Sequence, residues 1–175
     1  MRTSRGNGRV FWSAAAIVVV VDAITKSIAV NTLMPELPHR VIGNVVRFTL
    51  AFNPGAAFSM YLGEYSRFIF GAFAVIALVV LWWLYRSGPA GDRLRALALG
   101  LAWGGAAGNL LDRLHGARGV VDFIDIGVGH VRFWTFNVAD SAVTVGAILL
   151  AWVLWREDRE RVAVAAGDQQ AHEHS

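Results

Sequence analysis

Phe68 to Tyr85 reads FIFGAFAVIALVVLWWLY, and no charged side chain interrupts it. A helix rises about 1.5 Å per residue and needs about 20 apolar residues to cross a hydrocarbon layer of ~30 Å. This run meets that requirement and predicts a membrane span. Three further apolar segments, Val10 to Val30, Leu94 to Leu111 and Phe133 to Trp155, have similar length but carry polar residues. Composition points the same way: the 175 residues are 55% hydrophobic and only 17% charged, whereas soluble domains carry about a quarter charged residues. The absence of Cys excludes disulfides, thiolate metal sites and cysteine nucleophiles. The net charge of +3 comes from fifteen Arg and Lys26, scattered between apolar runs. With no basic patch interleaved with aromatics, nucleic acid is not expected as a partner, and these charges read as membrane-flanking.

Arg2, Arg5 and Arg9 before an apolar run resemble a cleavable leader, but no small-residue cleavage site follows, so a retained helix is expected. With the N-terminus in the cytoplasm, nine Arg fall inside (Arg2, Arg5, Arg9, Arg86, Arg93, Arg95, Arg156, Arg159, Arg161). Six fall outside (Arg40, Arg47, Arg67, Arg113, Arg118, Arg132). That bias favours four transmembrane helices with both termini cytoplasmic. Residues 1–160 read as a single membrane-embedded domain and 161–175 as a disordered cytoplasmic tail. Gly88-Pro89-Ala90-Gly91 marks a tight inner connection. Outside, Val46, Phe48, Leu50 and Phe52 alternate with Val45, Arg47, Thr49 and Ala51 up to the turn signal Asn53-Pro54-Gly55. This period of two predicts a strand, and with it a small sheet on the outer membrane surface.

Ionisable groups inside a span cost at least about 2.5 kcal/mol each, so each needs a reason. Asp22, Thr25 and Lys26 share one helical face, as do Asn109, Asp112 and Arg113 on the third segment. Asn137, Asp140, Ser141 and Thr144 form a third stripe. Asp22–Lys26 can equally be a self-neutralising structural pair, but Asp140 has no cation near it in sequence. By the helical rise, Asp22 and Asn109 stand about 18 and 22 Å up their helices and Asp140 about 10 Å down the fourth, all in the outer half. Gly104-Gly105-Ala106-Ala107-Gly108 permits a close helix approach and is read as room for a substrate helix. Between the third and fourth spans, Asp122 and Asp125 sit in a short apolar segment, and either could reach Asp140. Two carboxylates in a poorly solvated pocket share one proton, as an aspartyl protease requires. No His-Glu-x-x-His motif is present, and a Ser–Lys scheme would have to pair Lys26 with Ser59 or Ser141. A four-helix transporter and a membrane scaffold are the competing classes. A conduction path would need polar residues in the inner half too, which the second and fourth spans lack, and it gives the Asp122 segment and the outer strand no role. A scaffold leaves Asp140 without a purpose.

Five motifs in order resemble those of the lipoprotein signal peptidase (signal peptidase II) family of bacterial intramembrane aspartyl peptidases. They are Asp22-Ala23-Ile24-Thr25-Lys26, Asn53-Pro54-Gly55-Ala56-Ala57-Phe58, Gly104 to Arg113, Val121-Asp122-Phe123 and Phe136-Asn137-Val138-Ala139-Asp140-Ser141. The likeness covers about residues 10–155. It implies a catalytic dyad of Asp122 and Asp140 and passes over Asp125. It implies that Asn53, Gly55, Asn109, Arg113, Asn137 and Ala139 line the site or bind substrate, with Asp22 and Lys26 supporting. It also implies four helices with a small extracytoplasmic β-cradle. The expected substrate is a diacylglyceryl-modified prolipoprotein cut just before its lipidated cysteine, at the outer leaflet of the cytoplasmic membrane. No metal or cofactor is expected, membrane lipid is the surrounding partner, and the protein is expected to be a monomer.

Overall fold

A computed structural model of the chain describes residues 5–55, 65–116 and 118–173. Ser59 and the Ala56–Phe58 end of the second motif lie outside them. Four helices and four short strands follow in the order α1 (Arg5–Thr32), β1 (His39–Ile42), β2 (Val46–Asn53), α2 (Ser66–Ser87), α3 (Arg93–His115), β3 (Val120–Val128), β4 (Val131–Arg132) and α4 (Val138–Glu173). Three of the helices are long and apolar enough to cross a membrane: Asn7–Thr32, Ser66–Ser87 and Val138–Val164.

The helix lacking that apolarity is α3, and its position explains why. It packs against α1, α2 and α4 together, so most of its length meets other helices and favours small residues over bulky ones, while Leu111 and Leu114 at its sheet end are exposed. Gly100 and Gly104 press on the α1 backbone. A Cβ on Gly104 would stand 2.7 Å from the Ala15 carbonyl oxygen. Gly105 meets the Ala139 carbonyl, and Gly146 of α4 approaches the Ala98 carbonyl so closely that a Cβ would stand 2.6 Å away. The expected gap for a substrate helix along Gly104 to Gly108 is therefore not there: α1 and α4 fill it. The pairings rise together in α1 and α3 and run oppositely in α3 and α4, so α1 and α3 are parallel and α4 is antiparallel to both.

Phe11, Ala96 and Leu99 form the buried core at the end of the bundle near the α2–α3 turn, with Leu84, Tyr85 and Leu150 packed on it. Asp92 caps α3 by accepting from the Arg95 N–H at 2.9 Å, and the Arg95 guanidinium reaches Glu157 of α4 at 2.6 Å.

The sheet lies at the opposite end of the bundle. It is antiparallel in the order β1-β2-β3-β4. The alternating segment becomes β2, and Val120–Asp125, read only as a short apolar stretch, becomes the first part of β3. The β2–β3 register sets Arg47 against Asp125 and Ala51 against Asp122, with an irregularity between Phe48 and Ala51. The fourth helix differs from its expected limits at both ends. Phe133–Phe136 is extended, with Phe136 bridging Ile124 of β3, and the helix begins only at Val138. Beyond Trp155 it continues to Glu173 through the segment expected to lack structure. Ala, Glu, Gln and Arg there are good helix formers.

Candidate active site

The site forms where the sheet meets the helix ends. Asn137 is its centre and is fully buried. As the residue before α4, its side-chain oxygen accepts the Asp140 N–H at 2.9 Å, while its own N–H donates to Asp140 Oδ2 at 3.1 Å. This reciprocal pairing caps the helix, as the N-terminal N–H groups require. It also places Asp140 in the first turn of α4, not about 10 Å along the span as its expected start implied. The Asn137 amide then donates to Asp122 Oδ1 at 2.8 Å and to Asn109 Oδ1 at 3.1 Å. One side chain thus bonds Asp122 and the backbone of Asp140.

Strand parity separates Asp122 from Asp125. Three residues apart on β3, they point to opposite faces. Asp122 faces the helices and is buried, at 3% exposure. Its Oδ2 accepts from Asn53 Nδ2 at 3.3 Å, and the Asn53 oxygen accepts the Gly55 N–H at 3.0 Å, which folds the Asn53-Pro54-Gly55 turn. Burial, then the nearby charge of Asp140, pushes the Asp122 carboxyl up to about 7. Asp125 is held on the other face by Arg47 at 3.1 Å, Arg132 at 2.7 Å and Thr49 at 3.3 Å.

Asn109 donates to Asp140 Oδ1 at 2.7 Å. Among the described residues no cation comes within ion-pair distance of Asp140, so neutral N–H groups hold both its oxygens. Arg113 spans the site mouth, donating to the Asn109 carbonyl at 3.0 Å and the Gly55 carbonyl at 2.8 Å. Its Nε is buried and has no partner among the described residues.

Asp22 and Lys26 pair at 2.7 Å, as their spacing allows, but the pair is not self-contained. Lys26 also reaches Asp112 at 2.8 Å and Asn109 at 3.0 Å, and Asp22 accepts the Ala139 N–H at 2.9 Å. Ala139 is itself fully buried. Thr25, Ser141 and Thr144, grouped with these residues by spacing, bond to carbonyls of their own helices instead. Asp112 carries more than its spacing suggested, because its Oδ2 also accepts the Val121 N–H at 3.1 Å. Nothing in the sequence marks that backbone contact. Among the described residues, no three His, Asp or Glu are grouped as metal ligands.

Two acids, three asparagines and an arginine, gathered where a sheet caps a bundle of apolar helices, define a membrane enzyme. Two solved bacterial membrane-enzyme structures share the fold, each at 32% identity. One has a TM-score of 0.75 over 83% of this chain and 87% of its own; the other has 0.71 over 81% and 89%. The chain belongs to the signal peptidase II family, whose model matches residues 14–156. It is 39% identical over 147 residues to the lipoprotein signal peptidase of Polynucleobacter necessarius, covering 81% of this chain and 86% of that one. It is 42% identical over 140 residues to that of Geobacillus kaustophilus, covering 80% and 88%. The family is one of proteases.

Proposed function

We propose that this protein removes the signal peptide from diacylglyceryl-modified prolipoproteins by an aspartyl dyad of Asp122 and Asp140, cutting just before the lipidated cysteine. The observation that carries the reading is Asn137, whose one side chain binds both Asp122 Oδ1 and the Asp140 N–H. That arrangement suits a pair of acids working on one water molecule.

Asp122, raised to about 7, holds the shared proton. Asp140 takes a proton from water, and the water oxygen attacks the scissile carbonyl carbon as the Asp122 proton passes to the carbonyl oxygen. The tetrahedral diol then collapses. The C–N bond breaks, Asp140 gives its proton to the leaving nitrogen, and Asp122 recovers one from a diol hydroxyl. The products are the signal peptide acid and the free amine of the lipidated cysteine. Arg113, Asn53 and Gly55, at the mouth of the site, hold the substrate backbone.

In this reading all four helices span the cytoplasmic membrane, α3 enclosed by the others, and the chain works as a monomer. Asp22 lies 17 residues past Arg5 and Asn109 16 past Arg93, so both stand about 25 Å from the α2–α3 turn. The arginine bias supports a cytoplasmic position for that turn and, with it, a site at the outer leaflet. There a diacylglyceryl group stays in lipid while the peptide bond enters the polar site.

The test uses purified enzyme in detergent with a lipidated prolipoprotein and its unmodified precursor. Only the lipidated form is expected to lose its signal peptide. Asp122→Asn and Asp140→Asn, each purified as folded protein, are expected to lose about 10³-fold or more in rate. Substantial activity in either variant overturns the dyad.

A further inference from the structure

Asp22 and Asp112 lie outside the pair assigned to the chemistry, yet each grips the backbone one residue before a member of that pair. Asp22 Oδ1 accepts the N–H of Ala139, beside Asp140, at 2.9 Å. Asp112 Oδ2 accepts the N–H of Val121, beside Asp122, at 3.1 Å. Lys26 joins the two acids, with Nζ 2.7 Å from Asp22 and 2.8 Å from Asp112. The same ammonium donates to Asn109 Oδ1 at 3.0 Å, and Asn109 in turn donates to Asp140.

We infer that Lys26, Asp22 and Asp112 form a brace that sets the separation of Asp122 and Asp140 through the backbone N–H groups of Ala139 and Val121. The inference rests on the dyad reading given above. The two acids belong to different elements, β3 and the first turn of α4, joined on one side by the Phe136–Ile124 bridge and Asn137 and on the other by the brace. Helix α1 supplies no acid to the dyad but, through Lys26, is tied to both of its supports. A buried ammonium between two carboxylates is fixed in place, because losing either partner strands a charge. The three are positioning residues, since none of them touches the reacting atoms. Their precision matters, because a misplacement of about 1 Å can cost about 10²-fold in rate.

One detail makes the brace testable. A single oxygen of Asp112, Oδ2, takes both the Lys26 and the Val121 donors. An amide oxygen can replace it, so Asp112→Asn keeps the hold and Asp112→Ala removes it. The Asp112 side chain is 21% exposed and Asp22 stays beside Lys26 when it is truncated, so Asp112→Ala is expected to fold, which its thermal midpoint checks. With the lipidated substrate, Asp112→Ala is expected to lower kcat by about 10²-fold while KM stays within about threefold. It also changes the width of the kcat–pH profile, because the coupling between the two acids depends on their separation. Asp112→Asn is expected to return kcat to within about fivefold of the unaltered enzyme. Lys26→Gln, which loses both ion pairs at the hub, is expected to show the Asp112→Ala loss. Leu99→Ala, in the core at the far end, lowers the thermal midpoint and leaves the profile width unchanged.

A wild-type kcat and profile in Asp112→Ala overturn the brace, and so does an Asp112→Asn variant as slow as Asp112→Ala. Asp122→Asn and Asp140→Asn are assayed alongside. If they are inactive while Asp112→Ala is fast, the brace alone fails; if either is active, the dyad itself fails.

Discussion

Asn137→Ala removes the side chain on which the whole site converges, and its effects can be worked out contact by contact. The helix cap goes first, since Asp140 N–H loses its acceptor at 2.9 Å; cap removal costs about 1 kcal/mol. The bond to the Asp122 carboxyl at 2.8 Å goes with it, worth about 0.5–1.5 kcal/mol for a neutral acceptor. Contacts at 3.1 and 3.3 Å to Asn109 and the Val121 carbonyl add less. Because polar bonds among membrane helices average nearer 0.6 kcal/mol each, the expected stability loss is about 3 kcal/mol. The catalytic effect is the sharper one. The Asn137 bond favours the ionised form of Asp122, so removing it pushes that carboxyl further above about 7. Activity that needs Asp122 protonated is lost as pH rises through this value, so the basic limb of the rate profile moves to higher pH by about one unit. With the acid no longer aimed, kcat falls about 10²-fold or more. The assay is a kcat–pH profile on folded, purified variant. A limb that stays in place with kcat within about fivefold of the unaltered enzyme would refute the reasoning.

Asp122 also makes stability depend on pH. Its proton is held up to about 7 in the folded chain against 3.8 for the free group. The folded state therefore binds more protons between those values, and stability falls as pH rises through that window and is flat above it. The bound on this loss is about 4 kcal/mol at about 1.4 per unit. Melting in detergent at pH 5 and pH 8 should show the fall in the unaltered protein and little of it in Asp122→Asn. Asp125→Asn, on the sheet face away from the site, should cleave substrate within about twofold of normal but melt several degrees lower, because Arg47 and Arg132 lose a buried partner; an inactive variant would return Asp125 to the site. Gly105→Val drives a Cβ into the Ala139 carbonyl beside Asp140 and should abolish cleavage, whereas Gly71→Ala, with open space around it, should not. Equal activities in an assay of the two would show that the α3–α4 approach does not position Asp140.

The parts of this fold that were legible in the sequence are those governed by a single period. The apolar run in α2 and the alternation in β2 each have one lipid or sheet environment to satisfy. The start of α4 was not legible, because Phe133 to Phe136 are as apolar as the helix that follows. What ends the extended stretch is the capping pair Asn137–Asp140, a local bond that outweighs continuous hydropathy. The β3 strand was obscured for a related reason. Its buried positions include acids on both faces, Asp122 toward the helices and Asp125 toward Arg47 and Arg132, so no clean alternation of apolar and polar residues survives. The same parity separates the two acids once the strand is known.

The least apolar of the four helices is also the one the site depends on most, and these are two sides of one constraint. A helix enclosed by three others needs small residues to be approached, hence Gly100, Gly104 and Gly105 against neighbouring backbones. Packed among the others, it can carry Asn109, Asp112 and Arg113 at its sheet end with each of them bonded to protein. Those three then bond outward in three directions: Asn109 to α4, Asp112 to α1 and β3, and Arg113 to the turn after β2. A more apolar α3 would insert more readily as an isolated helix. It would also lose the Asn109, Asp112 and Arg113 bonds that tie α4, β3, α1 and the turn after β2 to one helix.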